Sequence, residues 1–191
     1  MKELPDFEIK QNGEISKEFL SQNIYTFKDA TVFIKKMKYG RNENKSDLKT
    51  IFSDNCGTCS TKHSILKKLA DENNYSEIKL ILGIFKMNSL NTYEIRETLK
   101  INRLEYIPEA HNYLKYKNEI YDFTKTDSKP SDFENELLEE IEILPNQITT
   151  YKVDYHKAYL EKWLNENRKI EFTLNDIWKV REECIKNLTE E

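Results

Sequence analysis

The sequence predicts an α+β protein in which a small, mainly antiparallel β-sheet packs against helices. Three stretches carry that expectation. "CSTKHSILKKLADE" places Ile65, Leu66, Leu69 and Ala70 at helical spacing. "SEIKLILGIF" is almost wholly apolar, as a strand buried on both faces must be. "YIPEAHNYLKYKNEIYDFT" alternates and is rich in aromatics, with "KN" near its middle, as in a β-hairpin.

The 191 residues suffice for one domain with a sizeable core, read here as 1–191. A charged fraction of 34% is high, but 11 Tyr, 9 Phe and 2 Trp supply apolar area, so the chain reads as folded. A net charge of −4 argues against a nucleic-acid partner held through phosphates. "MKELPDFEIK" lacks the apolar run of a signal peptide, and "LILGIF" is too short to span a bilayer. The expectation is a cytoplasmic protein without a membrane partner, its oligomeric state left open.

Taken in order, residues 1–24 read as loosely structured. A helix is expected over 27–38, stopped by Gly40, followed by the polar loop "RNENKSD". "KKMKYGRNENK" reads as a solvated helix end and loop. The next helix runs from Cys59 to Glu72, with Thr58 as N-cap and Asn73 or Asn74 as stop. The apolar strand comes after it. "LNTYEI" has a capping box in Asn91 and Glu94 and a hydrophobic staple in Leu90 and Ile95. The hairpin strands are expected near 107–116 and 119–124. "SDFENELLEEIEIL" reads as an amphipathic helix capped by Ser131 and Glu134, and "QITTYKV" as a strand. Helices near 154–166 and 174–188 close the chain; Thr173 and Asp176 announce the last, and Trp163 and Trp178 are expected to pack over the sheet.

"SDNCGTCSTKH" holds two of the three cysteines, Cys56 and Cys59; the third is Cys184. An odd number in a reducing compartment argues against a disulfide framework. Three readings of the C-x-x-C pair stand side by side. A redox dithiol at a helix start is one, although "NKSDLKTIFSDN" supplies no clear strand leading into it. A zinc site from Cys56, Cys59, His63 and His111 is the second. In the third, Cys59 is a nucleophile that needs a histidine base oriented by a further polar group. His63 lies one turn along the same helix, and His156 reads as a solvated or cap residue. His111 lies in the hairpin. With Lys117 and Asn118 at the tip, Tyr116 pairs with Glu119, Tyr113 with Asp122 and His111 with Thr124. His111 and Asp122 then share a face as diagonal neighbours. Leu114, Tyr121 and Phe123 occupy the other face, expected to be the core face.

"GTCSTKHSILKKLADENNYSEIKLILGIF" and "AHNYLKYKNEIYDFT" resemble the two blocks of the transglutaminase-like cysteine superfamily, with its papain-like Cys-His-Asp core. The chain order Cys, His, Asp is the same, and the resemblance covers about residues 55–124. It implies a nucleophile at Cys59, a base at His111 and an orienting carboxylate at Asp122. The implied activity is acyl hydrolysis or acyl transfer through a thioester on a protein, peptide or small amide, without a cofactor or metal. Asn55 is the nearest side chain for an oxyanion hole; Cys56 reads first as a small buried hydrophobe and, alternatively, as a resolving thiol for an oxidised Cys59. Tyr113 stands where Trp is commoner, and Pro108 and Glu109 before the histidine are unusual. The other class of function is a non-catalytic protein-interaction domain that keeps the fold.

Overall fold

A computed structural model describes residues 3–188, and it is α+β. The helices are α1 (Glu14–Ser21), α2 (Phe27–Lys36), α3 (Thr50–Ser53), α4 (Cys59–Glu72), α5 (Arg96–Ile101), α6 (Thr150–Glu166) and α7 (Leu174–Asn187). Two short strands, β1 (Lys38–Tyr39) and β2 (Cys56–Gly57), pair in parallel. The main sheet has β3 (Lys79–Asn88), β4 (Tyr106–Tyr116), β5 (Glu119–Tyr121) and β6 (Leu137–Glu142), in the order β5-β4-β3-β6. No helix among the described residues is long and apolar enough to cross a membrane.

Contacts cluster in two compact units. One is Met1–Leu82, Asn112–Pro130 and Ile141–Thr149; the other is Gly83–His111, Ser131–Glu140 and Thr150–Glu191. The stretch carrying the family resemblance contributes to both.

In the first unit α4 runs through the core, with α1 and α2 against it. The N-terminal segment is ordered, contrary to expectation: Phe7, Ile9, Ile15, Phe19 and Ile24 are all buried. Phe7 stacks between Phe27 and Tyr75. The cue missing from the sequence was a cap, because Gly13 stands at the N-cap of α1. Glu72, at the far end of α4, supplies it. Its carboxylate accepts from the Ser16 amide and hydroxyl, both at 2.7 Å, and from the Ile15 amide at 3.2 Å. This satisfies orphan N–H groups of the first turn and places negative charge at the positive end of the helix.

The hairpin has the expected register. Tyr116 pairs with Glu119 and Leu114 with Tyr121. Lys117 and Asn118 both have positive φ, 48° and 68°, as a two-residue type I′ turn requires. The antiparallel ladder ends at Tyr121, however, and Asp122 lies beyond it. The expected division into an apolar face and a polar face also fails, because Asn112, Tyr113 and Leu114 are all fully buried.

The second unit packs α6 and α7 together and ties them to the first half of β4. The Trp163 indole N–H donates to the Tyr106 hydroxyl at 2.9 Å. His156, expected to be solvated, is buried and hydrogen-bonds the Pro108 carbonyl through Nε2 at 2.8 Å. Its ring packs edge-on against Trp178. A carbonyl can only accept, so Nε2 carries a proton. Burial holds the imidazole below its ordinary pKa.

Three further elements differ from expectation. "LLEEIE" is the edge strand β6, with half-buried Leu137, Glu139 and Ile141 alternating with exposed residues. Its apolar residues fit both periods, and three glutamates are tolerated because an edge strand has one open side. Thr150–Val153 begin α6 rather than form a strand. The helical period was hidden because polar Lys152 and His156 occupy buried positions alongside Leu160 and Trp163. Leu90 is 95% exposed, so there is no staple with Ile95. The Asn91 side chain instead closes the turn after β3, accepting from the Asn88 amide and donating to the Lys86 carbonyl.

Candidate functional site

Cys59 is the first residue of α4, with Thr58 at the N-cap in extended conformation. Thr61 reaches back and accepts from the Thr58 amide at 3.0 Å. Gly57 is needed here for space, not for its dihedrals. A Cβ on it would lie 2.9 Å from Ile51 Cδ1 and from Thr61 Oγ1, and 3.0 Å from Lys62 Cγ. That explains the glycine two residues before the cysteine: the chain must graze the first turn of α4 before entering it. Gly57→Ala is expected to cost about 1–3 kcal/mol through overpacking, measured by chemical denaturation.

The first turns of α4 are buried although they are polar. Ser60, Thr61, Lys62, His63 and Ser64 are at most 2% exposed. Ser60, Thr61, Lys62 and His63 are hydrogen-bonded within the first unit. Ser60 Oγ donates to Asn112 Oδ1 at 3.0 Å, and Asn112 Nδ2 donates to the Ile81 carbonyl at 3.0 Å. With its proton given to Asn112, the Ser60 hydroxyl is left as an acceptor toward the Cys59 thiol, 3.9 Å away. His63 Nε2 accepts from the Phe123 amide at 2.8 Å, so its proton sits on Nδ1 and is donated to the Cys59 carbonyl at 2.7 Å. His63 is thereby fixed as one neutral tautomer with both nitrogens occupied.

Lys62 has its side chain entirely buried. Nζ donates to the Met37 carbonyl at 2.6 Å and to the Thr124 carbonyl at 2.7 Å. Burial pulls its pKa down to about 8, against the opposing pull of Asp122, Cys56 and Cys59. Asp122 is buried as well. Its Oδ1 accepts from the Thr124 amide at 2.9 Å and the Thr124 hydroxyl at 2.5 Å, and lies 3.5 Å from His63 Nε2.

Cys59 and Asp122 thus belong to the first unit, each set in a dense polar network. His111 belongs to the second, where its ring meets Phe133 edge-on at 4.8 Å and Phe85 at 6.1 Å. Glu109, on the same strand, forms a buried two-pronged pair with Arg181 of α7. Nε donates to Oε2 at 2.8 Å and Nη2 to Oε1 at 2.5 Å. Burial pushes the Glu109 carboxyl up, but Arg181, His156 and Lys152 outweigh it and hold it at about 2. The unusual residues ahead of His111 are therefore anchors: Pro108 for α6 and Glu109 for α7.

Asn55 is exposed, with φ of 49°, in the turn between α3 and β2. All three cysteines are free thiols. The Cys56 thiol points at the Arg41 carbonyl, 3.8 Å away, and burial and Asp54 raise its pKa. Cys184 is fully buried, and burial pushes its thiol up to about 12. The element before the C-x-x-C pair is the four-residue helix α3, and the two-residue strand β2 begins at Cys56 itself. Among the described residues no cluster of three or more His, Cys, Asp and Glu side chains is placed to hold a metal ion.

Lys62 and Asn112 escaped the sequence reading. A lysine on a helix normally snorkels to solvent, and Asn112 looked like one position of an alternating hairpin. Their partners lie 62 and 52 residues away. The available signal was "STKHS" itself, a polar run where the apolar stripe of a buried helix should begin.

Comparison of the chain with protein-family models, with curated proteins and with solved structures found no match.

Proposed function

We propose that the chain is a cysteine-dependent acyl hydrolase or acyltransferase in which Cys59 is the nucleophile, His111 the base and Asp122 the orienting carboxylate. The observation that carries this reading is the buried Ser60–Asn112 hydrogen bond. It ties the residue after Cys59, at the start of α4, to Asn112 of β4, the residue that follows His111 in the chain. The buried, hydrogen-bonded carboxylate of Asp122 supports the same reading. So does the place of Cys59 at the start of a 14-residue helix, where the dipole favours a thiolate.

In the proposed reaction the Cys59 thiolate bonds to the carbonyl carbon of an amide or ester. Backbone N–H groups of the first turn of α4 receive the oxyanion. The C–N or C–O bond then breaks, and the His111 imidazolium gives its proton to the leaving group. Water or an amine attacks the resulting thioester, losing a proton to His111. The acyl product departs and the thiolate returns. Asp122 keeps the imidazole in one tautomer throughout.

The test uses an activated ester, p-nitrophenyl acetate. A burst of nitrophenolate stoichiometric with protein is expected, with an acetyl adduct on the peptide containing Cys59. Cys59→Ala should abolish both. A burst that persists in Cys59→Ala, or an adduct on another residue, would refute the assignment.

A further inference from the structure

The hairpin ladder stops at Tyr121, so β-pairing does not hold Asp122. Two consecutive residues of α4 hold the segment after it. Lys62 binds the Thr124 carbonyl and His63 binds the Phe123 amide. Thr124 in turn gives its amide and hydroxyl to the Asp122 carboxylate. Lys62 also grips the Met37 carbonyl at the end of α2, so one buried ammonium joins three chain segments. Burying an ammonium is expensive unless its hydrogen bonds are worth more than its hydration. An apolar residue in the same space would remove the donor that the Met37 and Thr124 carbonyls share, so the ammonium is what holds these segments to α4.

We infer that Lys62 is a positioning residue for the proposed acyl-transfer reaction, acting through the Thr124 carbonyl to fix the Asp122 carboxylate relative to the helix that bears Cys59. The inference rests on the catalytic reading above. The titratable groups whose charge acts on the Lys62 ammonium are Asp122 and Lys125 after the hairpin, Cys56 of β2 and Cys59 of α4. The opposite charge among them that is buried and hydrogen-bonded is Asp122, whose carboxylate the clasp orients.

The experiment is a double-mutant cycle on acetylation of Cys59 by p-nitrophenyl acetate, with Lys62→Met, Asp122→Asn and the pair. If Lys62 acts through Asp122, each single variant slows acetylation about 100-fold and the double variant is no slower than either. Independent effects that multiply to about 10⁴-fold would overturn the inference. So would a Lys62→Met rate equal to wild type while Asp122→Asn is slow. If Asp122→Asn alone acetylates at the wild-type rate, the triad itself fails, and the inference with it. Amide exchange gives a second readout. The Phe123 and Thr124 amides should exchange at least about 10-fold faster in Lys62→Met, with the middle of α4 unchanged; unchanged exchange at both contradicts the clasp. Where Lys62→Met folds poorly, Lys62→Gln keeps an N–H donor without the charge and carries the same cycle. It should then acetylate faster than Lys62→Met, and a rate no faster counts against the clasp.

Discussion

His111→Ala slows acetylation of Cys59 by about 10³-fold, the range expected when a positioned general base is lost. In the proposed reaction the effect arises at one atom, the imidazole nitrogen that would take the thiol proton and return it to the leaving group. The ring of His111 is braced by Phe85 and Phe133, both buried. His111→Gln, which fills more of that slot, should therefore keep the melting temperature closer to wild type while losing a similar rate. Acetylation that continues at the wild-type rate in both variants would show that another group serves as base.

Arg181→Met is expected to destabilise the protein by about 3–5 kcal/mol at neutral pH, because it leaves Glu109 buried and unpaired. The sign with pH follows from the carboxyl. Its folded pKa is about 2, against an ordinary value near 4.5. A group with a depressed folded pKa contributes stability that is present above the unfolded value. That contribution is lost as pH falls from about 4.5 toward about 2. In Arg181→Met the stranded carboxyl takes up a proton more easily, so the gap from wild type should narrow as the pH drops below about 4.5. Urea titrations at pH 7 and pH 4 measure this. An equal gap at both would mean that the ion pair is not the source. Because Glu109 lies two residues from His111, the double variant Glu109→Gln/Arg181→Met separates loss of stability from loss of rate.

What could be read from the sequence was what local rules decide. The bounds of α4 follow from apolar spacing and flanking polar residues, and the type I′ turn at Lys117–Asn118 follows from an even loop with asparagine at its tip. Thr173 and Asp176 marked the start of α7 by the same kind of local exchange. The failures share a physical cause in long-range satisfaction. α1 is capped by a glutamate 56 residues away. β6 pairs along an edge where either period suited its residues. α6 buries His156 and Lys152 at positions where a helix search looks for leucine. For the candidate site, Cys59, His111 and Asp122 were singled out by residue type and spacing. The residues that fix two of them, Asn112, His63 and Lys62, became visible only through partners more than 50 residues distant.

The pH dependence of alkylation at Cys59 tests the nucleophile most directly. Iodoacetamide reacts with the thiolate, so its rate reports thiolate content without a substrate. At pH 6 the wild-type protein should be alkylated at Cys59 first, well ahead of Cys56 and of Cys184, and His111→Ala should react at least about 10-fold more slowly at Cys59. The variant's rate should rise only toward the pH of an ordinary thiol, about 8.5. Rates at Cys59 that are equal in wild type and His111→Ala, both following ordinary thiol ionisation, would contradict the account.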